Sequence, residues 1–351
     1  MEASSFLLYG ANGYSGNLIA RFAHEYNLKP VLAGRTEASI KPLAQQLQLP
    51  YRIIDLNDRM ALEAALKEVK LVLHAAGPFQ FTAKQMIEAC LNSGTHYIDI
   101  NGDISIFEMI KKYDAAAKEK GIMLLPGAGF DVVPTDCLAL YLKNKMQAAV
   151  DLKIAFATLG GAVSHGTASS MIHKLGTGSA LRRNGSIQMD ALGKNGMEIK
   201  VAGKDFFVMS IPWGDVSTAY FSTGIPNIET FTGMSKKVYY LLKFQFLFNW
   251  LLRTGFMKRI LLNRIAKKPA GPTDEERRRA KGYVWAQVTD AAGNKQTATL
   301  TCPEGYTITL HASLLIAQKI LRGNFKAGYQ TPASAYGEDL VLELPGLERQ
   351  G

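Results

Sequence analysis

Residues 6–16 read Phe6-Leu7-Leu8-Tyr9-Gly10-Ala11-Asn12-Gly13-Tyr14-Ser15-Gly16. The apolar run at the start is typical of a buried strand, and a helical pattern begins where the glycines end. In that context Gly10 permits a tight turn, Gly13 lets the backbone approach a pyrophosphate, and Gly16 lets the helix pack closely on the strand. The helix would present N–H groups and its positive end to the phosphates. All seven residues from Gly10 to Gly16 are therefore candidate dinucleotide-binding residues.

The motif has the spacing GxxGxxG, and its context strengthens it. Short apolar runs predict strands at residues 6–9, 30–33, 52–54, 71–75, 97–100 and 122–125. Helical patterns follow them at residues 16–26, 38–47, 59–68, 83–92, 107–118 and 135–143. Strands that alternate with helices predict βαβ units and one parallel sheet, with ligands at the carboxyl ends of the strands. The fold class is therefore α/β, with a Rossmann-type parallel sheet in the N-terminal half.

The pattern changes in the second half of the chain. Further strands are predicted at 151–158, 284–289 and 296–301, the last two paired around a turn at Gly293-Asn294, and a late helix at 308–321. These elements predict an interposed second domain with a mixed α/β fold. We expect a nucleotide-binding Rossmann domain at 1–145, a mixed α/β domain for substrate binding or dimerisation at 151–305, and a C-terminal helix and tail at 306–351 that pack back on the first domain.

The end of the second predicted strand indicates the cofactor. Enzymes that use NAD usually end this strand with a carboxylate for the ribose diol. Here the strand ends Ala33-Gly34-Arg35, so the carboxylate is missing and a guanidinium suited to a 2′-phosphate stands nearby. The alternative is an ordinary surface arginine in a loop. Gly34 and Arg35 are therefore assigned to the cofactor site, and NADP(H) is the predicted cofactor.

Two further segments lie at predicted strand ends. Asp55 follows the third strand and is a candidate acceptor for the adenine amino group, with a helix N-cap as the alternative. Ala75-Ala76-Gly77-Pro78-Phe79 ends the fourth strand. Small residues there would let the cofactor lie across the sheet edge, and a plain turn is the alternative. Ala76, Gly77 and Pro78 complete the predicted cofactor site.

Composition limits the class of protein. With 47% hydrophobic and 20% charged residues, the 351-residue chain is typical of globular proteins and not of disordered ones. The three cysteines form no CxxC pair, which excludes a disulfide framework and leaves no predicted metal site. The N-terminus has no basic region or cleavage site typical of a signal peptide, so a cytoplasmic location is expected. No motif for nucleic-acid binding accompanies the net charge of +10.

Several motifs in combination resemble one family. They are Gly10–Gly16, Ala33–Arg35, Ala75–Phe79, Gly94–Asp99, Gly129–Asp136, Gly166–Ser170, Gly271–Arg277, Pro303–Tyr306 and Tyr329–Gly337. Together they resemble the saccharopine-dehydrogenase-like NADP-binding family, and in the second half the trans-acting enoyl reductase branch. The resemblance extends over nearly the whole chain. It implies a Rossmann domain, an interposed mixed α/β domain and NADP(H)-dependent reduction.

The sequence is compatible with three hypotheses about the activity of the chain. The first is reduction of a C=C or C=O bond in an apolar, free or carrier-bound acyl substrate. The second is reduction of an imine of an amino-acid substrate, as saccharopine would require; only Arg182-Arg183 are placed to bind its carboxylates. The third is a non-catalytic sensor that binds NADP(H). An apolar cleft favours the first hypothesis, and two or more cleft arginines favour the second.

Reduction also needs a proton donor, because the cofactor supplies only the hydride. Residues with suitable side chains are His96, Tyr97, Asp99, Asp103, Asp131, His165 and His173. Asp99 and Asp103 have an alternative role in shaping a turn and capping the next helix. Asp131 has the same alternative. His165, Asp131 and Tyr97 are the candidate catalytic residues, each with a structural alternative.

The segment 236–268 has an unusual composition. It contains nine basic residues and no acidic residue, around an aromatic and leucine-rich run at 244–252. This run is far shorter than the ~20 residues that span a bilayer. The segment is predicted to be a helix whose apolar side is buried in the subunit or in a homodimer, with peripheral membrane contact as the alternative. The expected buried residues are Phe244, Phe246, Phe248, Trp250 and Leu251.

Overall fold

The computed structural model describes residues 4–174, 176–244, 249–252 and 254–351. Their contacts divide the chain into two compact units. Unit 1 comprises the residues up to Asp131 together with Tyr306–Ala335, and unit 2 comprises Val132–Gly305 together with Tyr336–Gly351. This division differs from the expected domains. The first unit ends at Asp131 and not at residue 145, and the C-terminal segment is shared between the two units.

Unit 1 is built on a parallel sheet. Its strands are β1 (Ser4–Tyr9), β2 (Leu28–Gly34), β3 (Tyr51–Ile53), β4 (Leu71–His74), β5 (His96–Asp99), β6 (Met123–Leu125) and β15 (Gly328–Tyr329). The strand order is β15-β6-β5-β4-β1-β2-β3, and every pairing is parallel. The order reverses between β1 and β4, and such a reversal opens a crevice at the carboxyl ends of the strands. The predicted Rossmann-type fold is therefore confirmed.

Helices cover this sheet. They are α1 (Tyr14–Phe22), α2 (Glu37–Leu47), α3 (Arg59–Lys67), α4 (Ala83–Ser93), α5 (Ile104–Lys111), α6 (Asp114–Glu119), α14 (Gly305–Leu321) and α15 (Pro332–Tyr336). One core cluster joins alternate strand residues, such as Leu7, Val72 and Tyr97, to apolar side chains of α3, α4 and α5. This alternation follows from the period of a strand, which sends every second side chain to the same face.

Unit 2 contains a mixed sheet. Its strands are β7 (Ala149–Leu159), β8 (Ser179–Arg183), β9 (Ser186–Asp190), β10 (Gly196–Val201), β11 (Lys204–Ser210), β12 (Asn227–Gly233), β13 (Lys281–Asp290), β14 (Lys295–Pro303) and β16 (Glu348–Gln350). The main path runs β10-β11-β12-β7-β13-β14-β16, and β8 joins β12 to β9. Strands β12 and β7 are parallel, while β13 is antiparallel to both β7 and β14. The predicted mixed α/β fold of this half is confirmed.

The helices of unit 2 are α7 (Val133–Lys145), α8 (His165–His173), α9 (Asp215–Thr223), α10 (Lys236–Lys243), α11 (Asn249–Leu252), α12 (Gly255–Ala266) and α13 (Asp274–Arg279). Helix α7 packs within this unit, where the Ser222 hydroxyl donates to Asp136 Oδ1 at 2.6 Å. This contact with a distant segment explains why the first unit ends before α7. The predicted hairpin between β13 and β14 is present, and Asp290 Oδ1 accepts from the Asn294 N–H at 2.9 Å in its turn.

The prediction of burial for the segment 236–268 is wrong within the subunit for two of its residues. Phe244 is 58% exposed and Trp250 is 70% exposed. Phe246, Phe248 and the side chain of Leu251 lie outside the described part of the structure. Along the described residues, no helix has the length and hydropathy needed to cross a membrane. The sequence pattern alone could not distinguish a buried face from an exposed one.

Candidate cofactor site

Two glycines of the loop between β1 and α1 are required by packing. Gly10 has φ of +89°, and a Cβ there would lie 2.7 Å from the Ala76 backbone nitrogen. A Cβ at Gly16 would overlap the Gly10 carbonyl oxygen. The N–H groups of Gly10 and Ala11 both donate to the Ala33 carbonyl oxygen, at 2.8 and 3.3 Å. The loop is therefore held against both neighbouring strands, as the sequence predicts.

Gly13 is different, because the packing of the chain restricts a side chain there less than at Gly10 or Gly16. Its backbone is extended, with φ of −72° and ψ of 162°, which any residue adopts. A Cβ there would meet only the Gly10 carbonyl oxygen, at 3.3 Å. Helix α1 begins at Tyr14 with no side-chain cap and no acidic residue in its first turn. The absence of a side chain at Gly13 and the uncapped helix end fit the pyrophosphate of a dinucleotide.

Side chains on both sides shape this loop. Gly34 ends β2, and a Cβ there would lie 2.8 Å from Ile40 Cδ1 and 3.3 Å from Asn12 Oδ1. The missing side chain therefore lets α2 and the glycine loop approach the end of β2. The ring of Tyr14 packs edge-on against Tyr306 at the start of α14, with 4.9 Å between ring centroids. Sequence reasoning could not foresee this contact, because the two tyrosines are far apart in the chain.

Arg35 lies directly after β2 and is exposed. Burial raises the pKa of the Tyr9 hydroxyl to about 12. The negative charge of Asp55 raises this pKa further, and the positive charge of Arg35 lowers it. Arg35 and Asp55 therefore both lie near Tyr9, at the carboxyl ends of β2 and β3. Among the described residues, none forms a salt bridge with Arg35. An exposed guanidinium at this strand end fits a 2′-phosphate.

The Arg35→Ala variant is expected to remove most of the preference for NADPH over NADH. A lost charged, bidentate contact is worth about 1.5–3 kcal/mol, which corresponds to about ten- to a hundredfold in affinity. Fluorescence titration of both cofactors with the wild type and the variant would measure the effect. The affinity for NADH should stay nearly unchanged and serves as the internal control. Equal affinities of the wild type for the two cofactors would contradict this role.

Asp55 holds a turn and does not cap a helix. Its Oδ1 accepts from the N–H and from the side-chain amide of Asn57, both at 2.9 Å. The N-cap of α3 is Asp58, whose Oδ1 accepts from the Ala61 N–H at 3.0 Å. The N-cap alternative for Asp55 is therefore wrong. Its exposed carboxylate stays a predicted contact of the adenine ring.

The loop after β4 completes the site. The Ala76 carbonyl oxygen accepts from the Thr82 hydroxyl at 2.8 Å and from His74 Nε2 at 3.1 Å. These bonds fix the loop Ala76-Gly77-Pro78 beside the first glycine of the dinucleotide loop. His74 is fully buried among the rings of Tyr9, Phe79 and Tyr97, at centroid distances of 5.7, 5.3 and 6.1 Å. Burial lowers the pKa of His74 to about 4.

Sequence reasoning missed His74. The only available signal was a histidine that ends the otherwise apolar run Leu71-Val72-Leu73. Because a carbonyl oxygen can only accept, Nε2 carries the proton of the neutral ring. The other ring nitrogen, Nδ1, is buried, and no described residue donates to it. His74 is therefore a neutral residue that positions the loop.

Tyr97 lies in the core and not at the site. It is fully buried, and its hydroxyl donates to Asp99 Oδ2 at 2.6 Å. Burial raises the pKa of Asp99, although its carboxylate also accepts from the Gly127 N–H at 2.9 Å and from Asn101. Asp103 caps α5 by accepting from the Ser105 N–H at 2.9 Å. These contacts give Asp99 and Asp103 the turn and cap roles foreseen as alternatives, and they favour a structural role for Tyr97.

Two further candidates in unit 1 are Asp131 and His96. Asp131 is partly exposed and lies against Gly102, where a Cβ would overlap its carboxylate. His96 Nδ1 accepts from the Met123 N–H at 3.0 Å, and its ring packs on Phe325 with 4.2 Å between centroids. His96 therefore links β5 to β6, whereas Asp131 keeps its place among the predicted proton donors.

The candidates in unit 2 are held by backbone contacts. His165 begins α8, is partly exposed, and its Nε2 donates to the Lys268 carbonyl oxygen at 2.8 Å. The buried guanidinium of Arg182 donates to the carbonyl oxygens of Val216 and Gly185, at 2.8 and 2.5 Å. It also lies 4.0 Å from the ring centroid of Tyr220.

Two further observations concern Arg183 and possible metal ligands. The Arg183 guanidinium lies 3.7 Å from the buried carboxylate of Glu229. Both arginines of the pair Arg182-Arg183 therefore have partners within unit 2. No group of histidine, cysteine, aspartate or glutamate side chains in the described ranges is arranged to hold a metal ion.

Comparison with known proteins agrees with this geometry. Residues 6–125 match the model of the saccharopine dehydrogenase NADP binding domain. A saccharopine dehydrogenase-like oxidoreductase of Mus musculus is 29% identical over 206 residues, which cover 52% of this chain and 48% of that protein. A trans-acting enoyl reductase of Mycobacterium tuberculosis is 30% identical over a shorter stretch of 138 residues, or 37% of this chain and 33% of that protein. The first of these matches spans about half of the relative's length.

The fold has a solved counterpart. Apo saccharopine dehydrogenase (L-Glu forming) from Saccharomyces cerevisiae superposes with a TM-score of 0.69 and 13% identity, over 99% of both chains. At this identity the likeness concerns the fold alone. The predicted resemblance and the predicted cofactor are confirmed by the match at residues 6–125. Those residues are similar to the NADP-binding domain of saccharopine dehydrogenase, in a chain similar to the saccharopine dehydrogenase-like oxidoreductases.

Proposed function

We propose that this chain is an NADP(H)-dependent oxidoreductase that reduces a C=C or C=O bond of an apolar acyl substrate. The observation that carries the oxidoreductase part is Gly13, where a Cβ would meet only one backbone atom beside a helix end that has no side-chain cap. The bound cofactor supplies a hydride, that is, two electrons and one hydrogen nucleus. The residues of unit 1 bind and orient the dinucleotide, and the match to an NADP-binding domain supports this part.

The contacts of Arg182 and Arg183 within unit 2 support an acyl substrate over an amino-acid substrate. An imine substrate of the saccharopine type carries several carboxylates, and cationic side chains would have to bind them. Arg182 is buried with its guanidinium bound to backbone carbonyl oxygens, and Arg183 lies beside Glu229. Breaking a buried, hydrogen-bonded cation away from its partners is costly. This favours an uncharged acyl substrate, and the relative named trans-acting enoyl reductase is consistent with that class.

His165 and Asp131 stay the proposed proton donors. Both are partly exposed, unlike the fully buried Tyr97. A proton must reach the substrate atom that does not receive the hydride, which is the α-carbon of an enoyl group or the oxygen of a carbonyl group. The His165 ring has one nitrogen bound to the Lys268 carbonyl oxygen, which fixes its orientation.

A substrate comparison tests the proposal. The purified chain is mixed with NADPH and, in separate reactions, with an α,β-unsaturated acyl thioester, the matching ketone, or an amino acid together with an oxo acid. Consumption of NADPH is followed by its fluorescence. We expect turnover with the unsaturated thioester, the ketone or both, none with the amino-acid pair, and none in a Gly13→Val variant. Turnover restricted to the amino-acid pair would replace the proposal by imine reduction, and tight NADPH binding without any turnover would indicate a sensor.

A further inference from the structure

Unit 2 carries a surface that the proposed function does not use. We define the basic apolar surface as α10, Phe244, α11, α12, Lys267 and Lys268. Large apolar side chains on it are exposed by 40–72%: Val238, Tyr240, Leu241, Phe244, Trp250 and Phe256. Helix α12 has no buried residue at all, although a third of its residues are leucine or isoleucine. Singly exposed apolar residues are common, but a run of this extent marks an interaction site.

Helix α10 shows how these side chains come to face outward. Its Tyr239 is buried and packs edge-on against Phe207 of β11, with 5.0 Å between ring centroids. Residues three or four apart share one face of a helix. Tyr240, Leu241 and Phe244 therefore lie together on another face, and each is exposed. The helix is anchored by one face and presents an apolar face to its surroundings.

Helix α12 is held on unit 2 by polar contacts, and its leucine and isoleucine side chains are only partly buried. Lys258 Nζ donates to the His173 carbonyl oxygen at 2.8 Å. His165 Nε2 donates to the Lys268 carbonyl oxygen, also at 2.8 Å. These bonds tie both ends of α12 and its following residues to α8. They fix the helix on the unit without burying Phe256.

The charge of this surface has one sign. Residues 236–268 contain nine lysines and arginines and no aspartate or glutamate, so they carry nine of the ten net positive charges of the chain. Lys236 is paired, with its Nζ 2.7 Å from Glu198 Oε1. The rest of the chain is nearly neutral in sum. A partner for this surface must therefore be both negatively charged and able to receive aromatic side chains.

We infer that the basic apolar surface binds a membrane whose surface is rich in anionic phospholipid. Tryptophan and tyrosine side chains favour the membrane–water interface, and cations near it are attracted to anionic headgroups. No described helix is long and apolar enough to span a bilayer, so the helices would lie in the plane of the interface. This proposal is independent of the reaction that the chain catalyses.

The same charge argues against a second copy of the chain as the partner. A two-fold contact brings the same patch of both subunits together. Here it would place one cluster of cations against an identical cluster, with the intervening water removed. Like charges brought together in this way disfavour association. The anionic membrane is therefore the better match.

Flotation with phospholipid vesicles tests the inference. The full chain is mixed with vesicles of phosphatidylcholine alone or of phosphatidylcholine with phosphatidylserine, at low and at high salt. We expect flotation mainly with the phosphatidylserine vesicles and a clear loss at high salt, because salt screens exposed charges. The absence of flotation with phosphatidylserine vesicles at low salt would overturn the inference.

Two variants separate the contributions of aromatic rings and of cations to vesicle binding. Trp250→Ser with Phe256→Ser removes exposed aromatic rings, and Arg259→Gln with Arg264→Gln removes exposed cations. Each variant is expected to lower vesicle binding at least tenfold and to leave the unfolding temperature unchanged. Met60→Ser is the matched control, because Met60 is an exposed apolar residue of unit 1. Unaltered vesicle binding by both variants would overturn the inference.

Sedimentation velocity without vesicles tests the alternative that the surface binds a second copy of the chain. A chain that serves a membrane through this surface should show the same sedimentation coefficient before and after the aromatic substitutions. A dimer that Trp250→Ser with Phe256→Ser dissociates, in a chain that does not float, would assign the surface to a second copy instead.

Discussion

A Gly13→Val variant is expected to lose NADPH binding while unit 1 stays folded. The backbone of Gly13 is extended, and a Cβ there would contact only the Gly10 carbonyl oxygen, at 3.3 Å. The branched side chain would fill the space that the pyrophosphate needs above the start of α1. We expect the dissociation constant to rise about a hundredfold or more, which corresponds to about 2.7 kcal/mol. Fluorescence titration measures binding, and circular dichroism measures folding.

Two other glycine variants make this experiment specific. Gly16→Ala should lower the stability of unit 1 itself, because the new Cβ would overlap the Gly10 carbonyl oxygen. Gly255→Ala should change neither property, since nothing lies within 4 Å of a Cβ at that helix start. An unchanged affinity for NADPH in folded Gly13→Val protein would show that the cofactor does not lie over this loop.

The second large effect concerns the stability of unit 1 in acid. Burial lowers the pKa of His74 from 6.5 to about 4. Between these values the unfolded chain binds a proton that the folded chain does not, so the free energy of unfolding falls as the pH falls from 6.5 to 4. This difference in pKa between the unfolded and the folded chain corresponds to about 3 kcal/mol in the free energy of unfolding. This is a large share of the roughly 5–15 kcal/mol that stabilises a domain.

The His74→Phe variant isolates this contribution. Phenylalanine keeps an aromatic ring beside Tyr9 and Phe79, and the Ala76 carbonyl oxygen still accepts from the Thr82 hydroxyl at 2.8 Å. Urea unfolding of both proteins at a series of pH values would give the difference. His96 and Asp99, whose pKa values are also displaced by burial, are present in both proteins. The variant should therefore lose less stability than the wild type between pH 6.5 and 4, and parallel losses would contradict the assignment.

The predicted Rossmann fold rested on local features, and these proved sufficient for the parallel sheet. Gly10 and Gly16 are explained by contacts with residues next to them in the sheet or in the loop, and such contacts depend on glycine wherever a strand, a tight turn and a helix follow each other. The alternative role of Asp55 as an N-cap was wrong by three residues, since Asp58 caps α3. Either aspartate is compatible with the helical pattern, so only the backbone geometry distinguishes them.

Sequence alone therefore determined the parallel sheet and the NADP-binding domain, because strand–turn–helix geometry depends on neighbouring residues. The contacts of the glycine loop and of Arg35 with the cofactor stay predictions. Tertiary structure decided what depends on distant residues. It assigned α7 to unit 2, buried His74 beside Tyr9 and Tyr97, and engaged Arg182 with the Val216 carbonyl oxygen. It also left Phe244 and Trp250 exposed, since a helical pattern specifies an apolar face but not whether another part of the chain covers it.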